Sequence, residues 1–414
     1  MSTTSGAATV TEAVGGSTTT GFSRRDTGVR AVVRRELYRM RARRLYPLLL
    51  LILPVMGWGV LRAVFGSHVA RELPVVVMDA DGSALSRRVV RAIEATASVR
   101  VVAQTSAIGN VEQVLQRGEA YAVVVIPAGL EQQTARAQGT PILLYTNGQW
   151  LLPASTITRD VRMAVGTVSA QIEVGRRVAR GAAPSTALVA AEPVRTQLHP
   201  LYNPALDYAA YLFLALIPTL LHVFVLVMAV HVVGVELKQS TAAQWLAAAG
   251  DRAGIAVVGK LLPYTLWYAL LGSVMLEVAL RSLDLPMAGN RPLLHAAMVL
   301  LVMAYQALGV LLVALTSNLR VATSASGFIA GPAFAVAGVS FPRFAMPVAG
   351  QLWSVVLPLS HYLELQTQQV IVGASVRQSA PLVATLMAFV AVPALLAVRP
   401  LRRVLRDPQY WGRT

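Results

Sequence analysis

The ionisable side chains that sit in otherwise apolar stretches are where this chain would do chemistry. His222 and His231 lie in one long apolar run, Lys260 and Glu277 in the next, and His361 in a Ser360-His361-Tyr362 cluster further on. Each such group costs several kcal/mol in hydrocarbon, roughly +2.5 or more on insertion scales, unless it is paired or hydrated. For His222 two readings stand side by side: a contact lining a translocation path or joining helices, and a ring satisfied by a neighbouring backbone or hydroxyl group. Lys260 is expected to snorkel toward the nearer membrane face. Glu277 is followed at i,i+4 by Arg281, which points to local neutralisation and away from a proton relay.

No catalytic constellation accompanies these residues. There is no arrangement like a nucleophile triad, a paired-carboxylate site or a zinc cluster, and the sequence holds no cysteine, so no disulfide or thiolate metal site is expected. Gly254-Ile-Ala-Val-Val-Gly259-Lys260-Leu261 fits the phosphate-loop pattern GxxxxGK, but Leu261 stands where a magnesium-binding hydroxyl belongs. The motif also lies inside an apolar helix, without the strand-to-loop context that turns backbone N–H groups toward a phosphate. Asp79-Ala-Asp81-Gly82 reads as a turn capped by Ser83; a divalent-cation site is the alternative. No bound metal or cofactor is assigned to this chain.

The elements that must position these residues follow from composition. Hydrophobic residues make up 55% of the 414 residues and charged residues 14%, against about 25% charged in soluble domains. Lipid is therefore a major solvent. The net charge of +16 is no nucleic-acid signal, because the basic residues crowd beside apolar segments as they do on a cytoplasmic membrane face. All but Lys238 and Lys260 of the basic set are arginine, which fits the composition bias of a GC-rich bacterium; the location expected is a bacterial plasma (inner) membrane.

Residues 1–23 are Ser, Thr, Gly and Ala with little else and are expected to be disordered. No cleaved signal peptide is expected, since the first apolar run starts only at Leu45. Residues 24–44 carry nine arginines with Val29, Val32, Val33, Leu37 and Met40 at helical spacing, which predicts an amphipathic helix in the interface, facing anionic lipid headgroups. Six transmembrane helices are expected, at Leu45–Phe65, Tyr208–Val235, Ala253–Leu280, Pro292–Thr316, Ala322–Ser340 and Ala380–Val398. Arginine placement puts both termini, the basic tail 399–414, the loop 236–252 and the link Ser317–Arg320 on the cytoplasmic side. The proline-broken segment 341–379 is expected to be a re-entrant element on the outer side. Residues 66–207 then form an outer domain, where short Val/Ile/Leu runs alternate with helical spacings and imply an α/β fold with a partly parallel sheet. In the loop 236–252, Glu236, Lys238 and Gln239 end one span, and residues 240–249 can form a short helix beside the membrane. That helix could receive force from a cytoplasmic partner, or it could be a plain connection.

In this order and spacing the residues resemble the ABC-2 type permeases that have one span, a large extracytoplasmic domain and five further spans. The resemblance runs over about 24–410. It is carried by the Asp79–Leu85 turn, the strand Gly118–Pro127, Leu201-Tyr-Asn-Pro204, the segment Glu236–Thr241 and Gly259-Lys260-Leu-Leu-Pro263-Tyr264. Ser326-Gly327-Phe328, Phe341-Pro342, Met346-Pro347 and Leu357-Pro358-Leu359-Ser360-His361-Tyr362 complete it. Lys238 and Ser240 stand where the family has an acid and a glycine. The resemblance implies a half-transporter with no enzymatic activity of its own, paired with a second permease subunit, identical or paralogous. A separate ABC ATPase would use ATP and Mg, docking near Glu236, Lys238, Gln239, Thr241 and Trp245. A periplasmic adaptor is a further implied partner, and drugs, lipids or other amphiphiles are the implied cargo for export. A membrane receptor or assembly scaffold, whose outer domain binds a ligand or protein without pumping, is the competing reading.

Overall fold

A computed structural model of the chain describes residues 27–66, 71–106, 111–186, 201–203, 207, 209–285 and 287–412. The segment 1–23, together with Arg24, Arg25 and Pro204, lies outside these residues. Helix α1 (Val29–Ala42) precedes α2 (Leu45–Phe65). An α/β unit follows: β1 (Leu73–Asp79), α3 (Ala84–Glu94), β2 (Val99–Thr105), α4 (Val111–Gln116), β3 (Ala122–Ile126), α5 (Leu130–Ala135), β4 (Leu143–Thr146) and the long α6 (Leu151–Ala179). The remaining helices are α7 (Ala209–Lys238), α8 (Ala242–Ala248), α9 (Ala253–Ser282), α10 (Arg291–Thr316), α11 (Leu319–Ala330), α12 (Val348–Val355), α13 (Pro358–Thr367) and α14 (Val376–Arg406).

Sheet order is β2-β1-β3-β4, with β1 parallel to β2 and β3 and β4 antiparallel to β3. A parallel pair at the centre needs cover on both faces, and the alternation of β1 and β3 supplies it. Val75, Val77, Val124 and Ile126 pack with Val89 and Ile93 of α3 and Ile157 and Val161 of α6. Val76, Met78, Val123 and Val125 pack on the other face with Val111, Val114 and Leu115 of α4. The expected turn is present: Asp79 Oδ1 accepts from the N–H groups of Asp81 and Gly82, and Ser83 Oγ caps α3 by accepting from Ser86 N at 3.0 Å. Asp81 accepts from Gly129 N at 2.8 Å, so this carboxylate ties the turn to the start of α5.

Among the described residues, α2, α7, α9, α10 and α14 are long and apolar enough to cross a membrane. The span expected over 322–340 differs. Its helix α11 has 12 residues and stops at Ala330, ahead of Gly331-Pro332, and turns fill 331–340. Twelve residues rise about 18 Å, well short of the roughly 30 Å hydrocarbon core. Gly331 still holds a helical conformation and donates to Gly327 O, but Pro332 has no N–H to give the next carbonyl, so the sequence breaks the element there. The segment 341–379 is broken as expected, into α12, α13 and a π-helical turn, Gln368–Val372, that ends at left-handed Gly373.

Proline inside long helices leaves carbonyls without their N–H partner, and here side chains from other helices replace the lost donors. Pro218 cannot donate to Leu214 O, and Gln366 of α13 does so instead, through Nε2 at 2.8 Å. Beside Pro54, the Trp267 indole of α9 donates to Leu50 O at 2.8 Å and the Tyr268 hydroxyl to Leu49 O at 3.2 Å. Each repair joins two elements far apart in sequence.

Two ends of the helical bundle can be told apart by their contacts. At one, Gly28 N donates to Ala248 O and Gly412 N to Leu237 O, both at 2.9 Å, which gathers the start of α1, the α7–α8 corner and the chain beyond α14. At the other, Ala288 N and Gly289 N of the α9–α10 link donate to Val370 O and Gln369 O.

Candidate functional site

The α7–α8 corner encloses a knot of charge. Lys260 of α9 is fully buried, and its Nζ donates to Glu36 Oε2 of α1 at 2.6 Å and to Glu236 Oε1 of α7 at 2.7 Å. Both carboxylates are also fully buried. Arg35 grips Glu236 with two bonds, NH1 to Oε1 at 2.6 Å and NH2 to Oε2 at 2.9 Å. Arg39 and the Thr241 hydroxyl donate to the same carboxylate. On the other side, the Tyr264 hydroxyl donates to Glu36 Oε1 at 2.7 Å. Burial works against the charge of Arg35, but the hydrogen bond and charge of Glu236 hold its pKa above the usual guanidinium range. Two buried carboxylates thus meet one buried cation, Lys260, and two partly exposed ones, Arg35 and Arg39, so Lys260 is the partner whose removal is most costly.

Local sequence explains why α1 comes so close. A β-carbon on Gly259 would lie 2.8 Å from Val32 Cβ and 3.1 Å from Val29 O. The glycine of the false phosphate motif is therefore a packing residue, and its lysine is the centre of an ion network. Lys260 does not snorkel, because two carboxylates hold its ammonium inside. The helix expected at 24–44 is also more than interfacial: Ala31 and Val32 are buried, with Val32 packed in the main helical core, while Arg30, Arg34, Arg41 and Arg43 face outward.

The five residues singled out in the 236–241 segment and its helix divide into two groups. Glu236, Thr241 and Trp245 are the inner group. Trp245 is fully buried, its indole donates to Ala256 O at 3.1 Å, and Lys260 Nζ lies 5.1 Å from its ring centre. Lys238 and Gln239 are exposed with Ser240, Ala243, Gln244 and Ala247. Gln239 accepts from Arg39 and Arg43, at 3.0 and 3.1 Å, at the edge of the knot. Ser240 has φ 57°, a left-handed conformation that favours glycine. The corner therefore presents a polar outer face on a base locked to α1, α7 and α9.

The other polar residues are dispersed. His222 is buried with its ring centre 4.8 Å from that of Tyr305. Glu277 pairs with Arg281 as expected, and also with Arg291 at 3.3 Å and His295 at 3.1 Å across the α9–α10 link. The His361 ring nitrogen lies 3.0 Å from Val355 O, and its ring sits beside Phe389. Sequence reasoning missed Glu36, Arg35, Arg39 and Tyr264. A signal for Glu36 existed, since it is a carboxylate in the middle of an arginine-rich helix, and a lysine in an apolar run needs a counter-charge from somewhere.

Residues 45–399 match a family model described as an ABC-2 family transporter protein. A search of curated proteins finds no match.

Proposed function

This chain belongs to the ABC-2 family of transporter proteins, and on that premise we propose that it is the membrane-spanning permease subunit of an ATP-driven exporter. ATP and Mg are used by a separate ATPase subunit, which docks on the outer face of the α7–α8 corner. The observation that carries the proposal is the knot around Glu236. Thr241 at the head of α8, Lys260 of α9 and Arg35 and Arg39 of α1 all hold one carboxylate at the end of α7. A push on Lys238, Gln239 or Gln244 then moves three helices as one body instead of deforming a loop.

Placement in the membrane follows the same contacts. The knot, the arginine-rich outer face of α1 and the chain after α14 share one end, which the positive-inside rule assigns to the cytoplasm of a bacterial plasma membrane. The chain must reach the far end between Thr316 and Val376, and α11 with the broken 331–372 segment makes that fifth of six crossings. The α/β unit between α2 and α7 is then extracytoplasmic, available to an adaptor. A second permease subunit completes the transporter, and the cargo is amphiphilic, drug-like or lipid-like.

The test is co-purification of the full chain with the ABC ATPase subunits of its own source, co-expressed one at a time. Lys238→Glu with Gln244→Glu alters only exposed positions and is expected to abolish ATPase association while the permease still folds. Undiminished association and transport in that double variant would remove the coupling assignment.

A further inference from the structure

An apolar cleft of about 400 Å³ opens between α9, α10 and α14, away from the charge knot. Gly254, Val258 and Leu262 form one wall, Ala394 the facing one, and Gln306 lies at the deep end, where its carboxamide oxygen accepts from Thr265 at 2.7 Å. Arg402 lies at the mouth, exposed and without an ion-pair partner among the described residues. A β-carbon on Gly254 would meet nothing within 4 Å, so the mouth is open.

Length and charge identify the occupant. From Gly254 to Thr265 is eleven residues of α9, about 16 Å at the helical rise. That is half of the roughly 30 Å hydrocarbon core, one leaflet. A lining that is almost wholly apolar over one leaflet, ending at a cation, is complementary to one acyl chain with an anionic headgroup. We propose that this cleft binds an anionic phospholipid of the surrounding bilayer, its chain against Val258, Leu262 and Ala394 and its phosphate at Arg402. The site faces lipid and is independent of ATPase docking, so it stands even if the Lys238/Gln244 test fails.

The experiment is native mass spectrometry of the delipidated full-length protein titrated separately with dioleoyl phosphatidylglycerol and dioleoyl phosphatidylcholine. Wild type is expected to retain one phosphatidylglycerol per chain with about five-fold preference, the equivalent of ~1 kcal/mol for one basic residue near an anionic lipid. Arg402→Gln should bind both lipids equally, while Arg399→Gln, one turn away and outside the cleft, should keep the preference. Ala394→Trp, or Val258→Trp should the first fail to fold, should lose the retained lipid altogether. Equal binding of both lipids by wild type overturns the proposal. So does an Arg399→Gln effect as large as that of Arg402→Gln, which would mean a diffuse basic surface. Lipid retention that survives the tryptophan variants while a dimer falls apart also overturns it, because a second copy would then cover the cleft.

Discussion

Replacing Lys260 with methionine removes the ammonium that touches Glu36 at 2.6 Å and Glu236 at 2.7 Å, and the two carboxylates suffer unequally. Glu236 keeps Arg35 on both oxygens, Arg39 and Thr241. Among the described residues, Glu36 keeps only the neutral Tyr264 hydroxyl and becomes a buried charge with no direct counter-ion. Breaking a buried pair in this way costs about 3–5 kcal/mol, and that is the expected loss for Lys260→Met. Glu36→Gln alone leaves Lys260 paired with Glu236 and should cost less, about 1–3 kcal/mol. The double variant strands no charge, so it should recover half or more of the Lys260→Met loss, which with the Glu36→Gln cost makes a coupling of about 4 kcal/mol in a double-mutant cycle. Reversible unfolding in mixed micelles measures all three, with exposed Lys238→Met as the control, expected within about 0.5 kcal/mol of wild type. A Lys260→Met loss below about 1 kcal/mol, or losses that simply add, would refute the reasoning that the network is desolvated and mutually dependent.

The proline repairs and the α1 contact yield three further expectations. Gln366→Leu takes the donor from Leu214 O and should cost about 1–3 kcal/mol; adding Pro218→Ala restores a backbone N–H and should return most of it, read as the midpoint of thermal unfolding. Trp267→Phe leaves Leu50 O without its donor, and hydrogen exchange should rise within 48–54 while the α/β unit stays unchanged. Gly259→Val forces its side chain into Val32 and Val29 O. It should cost about 1–3 kcal/mol by overpacking and speed tryptic cleavage at the exposed Arg34.

Much of the architecture could be read from local pattern because the solvent dictates it. Twenty or so apolar residues must form a helix in lipid, and α2, α7, α9 and α10 lie within three residues of their expected limits, whereas α14 runs on by eight residues, to Arg406, as an amphipathic extension. Short runs of Val, Ile and Leu likewise exposed β1 to β4, since the central strands β1 and β3 are covered on both faces and apolar along almost their whole length. The span expected over 322–340 failed because hydropathy counts apolar residues without asking whether Gly331-Pro332 lets the helix continue.

Site residues were legible only in part. Lys260 stood out because a cation in an apolar run is costly, yet the sequence could not name its partners, which lie 224 and 24 positions away. Similarly, Glu236 and Trp245 looked like outward docking residues and turned out to be anchors, because which way a short helix faces depends on what it packs against.

By itself, then, the sequence determined the apolar helices, the α/β insertion and the family pattern, all of which follow from short-range periodicity and the cost of exposing backbone to lipid. Only the tertiary structure decided that Lys260 is locked between Glu36 and Glu236, that Gln366 and Trp267 replace donors lost to proline, and that Lys238 and Gln239 face outward while Trp245 does not. Those outcomes depend on distances between remote segments, and a charge or a carbonyl can be satisfied by any partner that packing brings within about 3 Å.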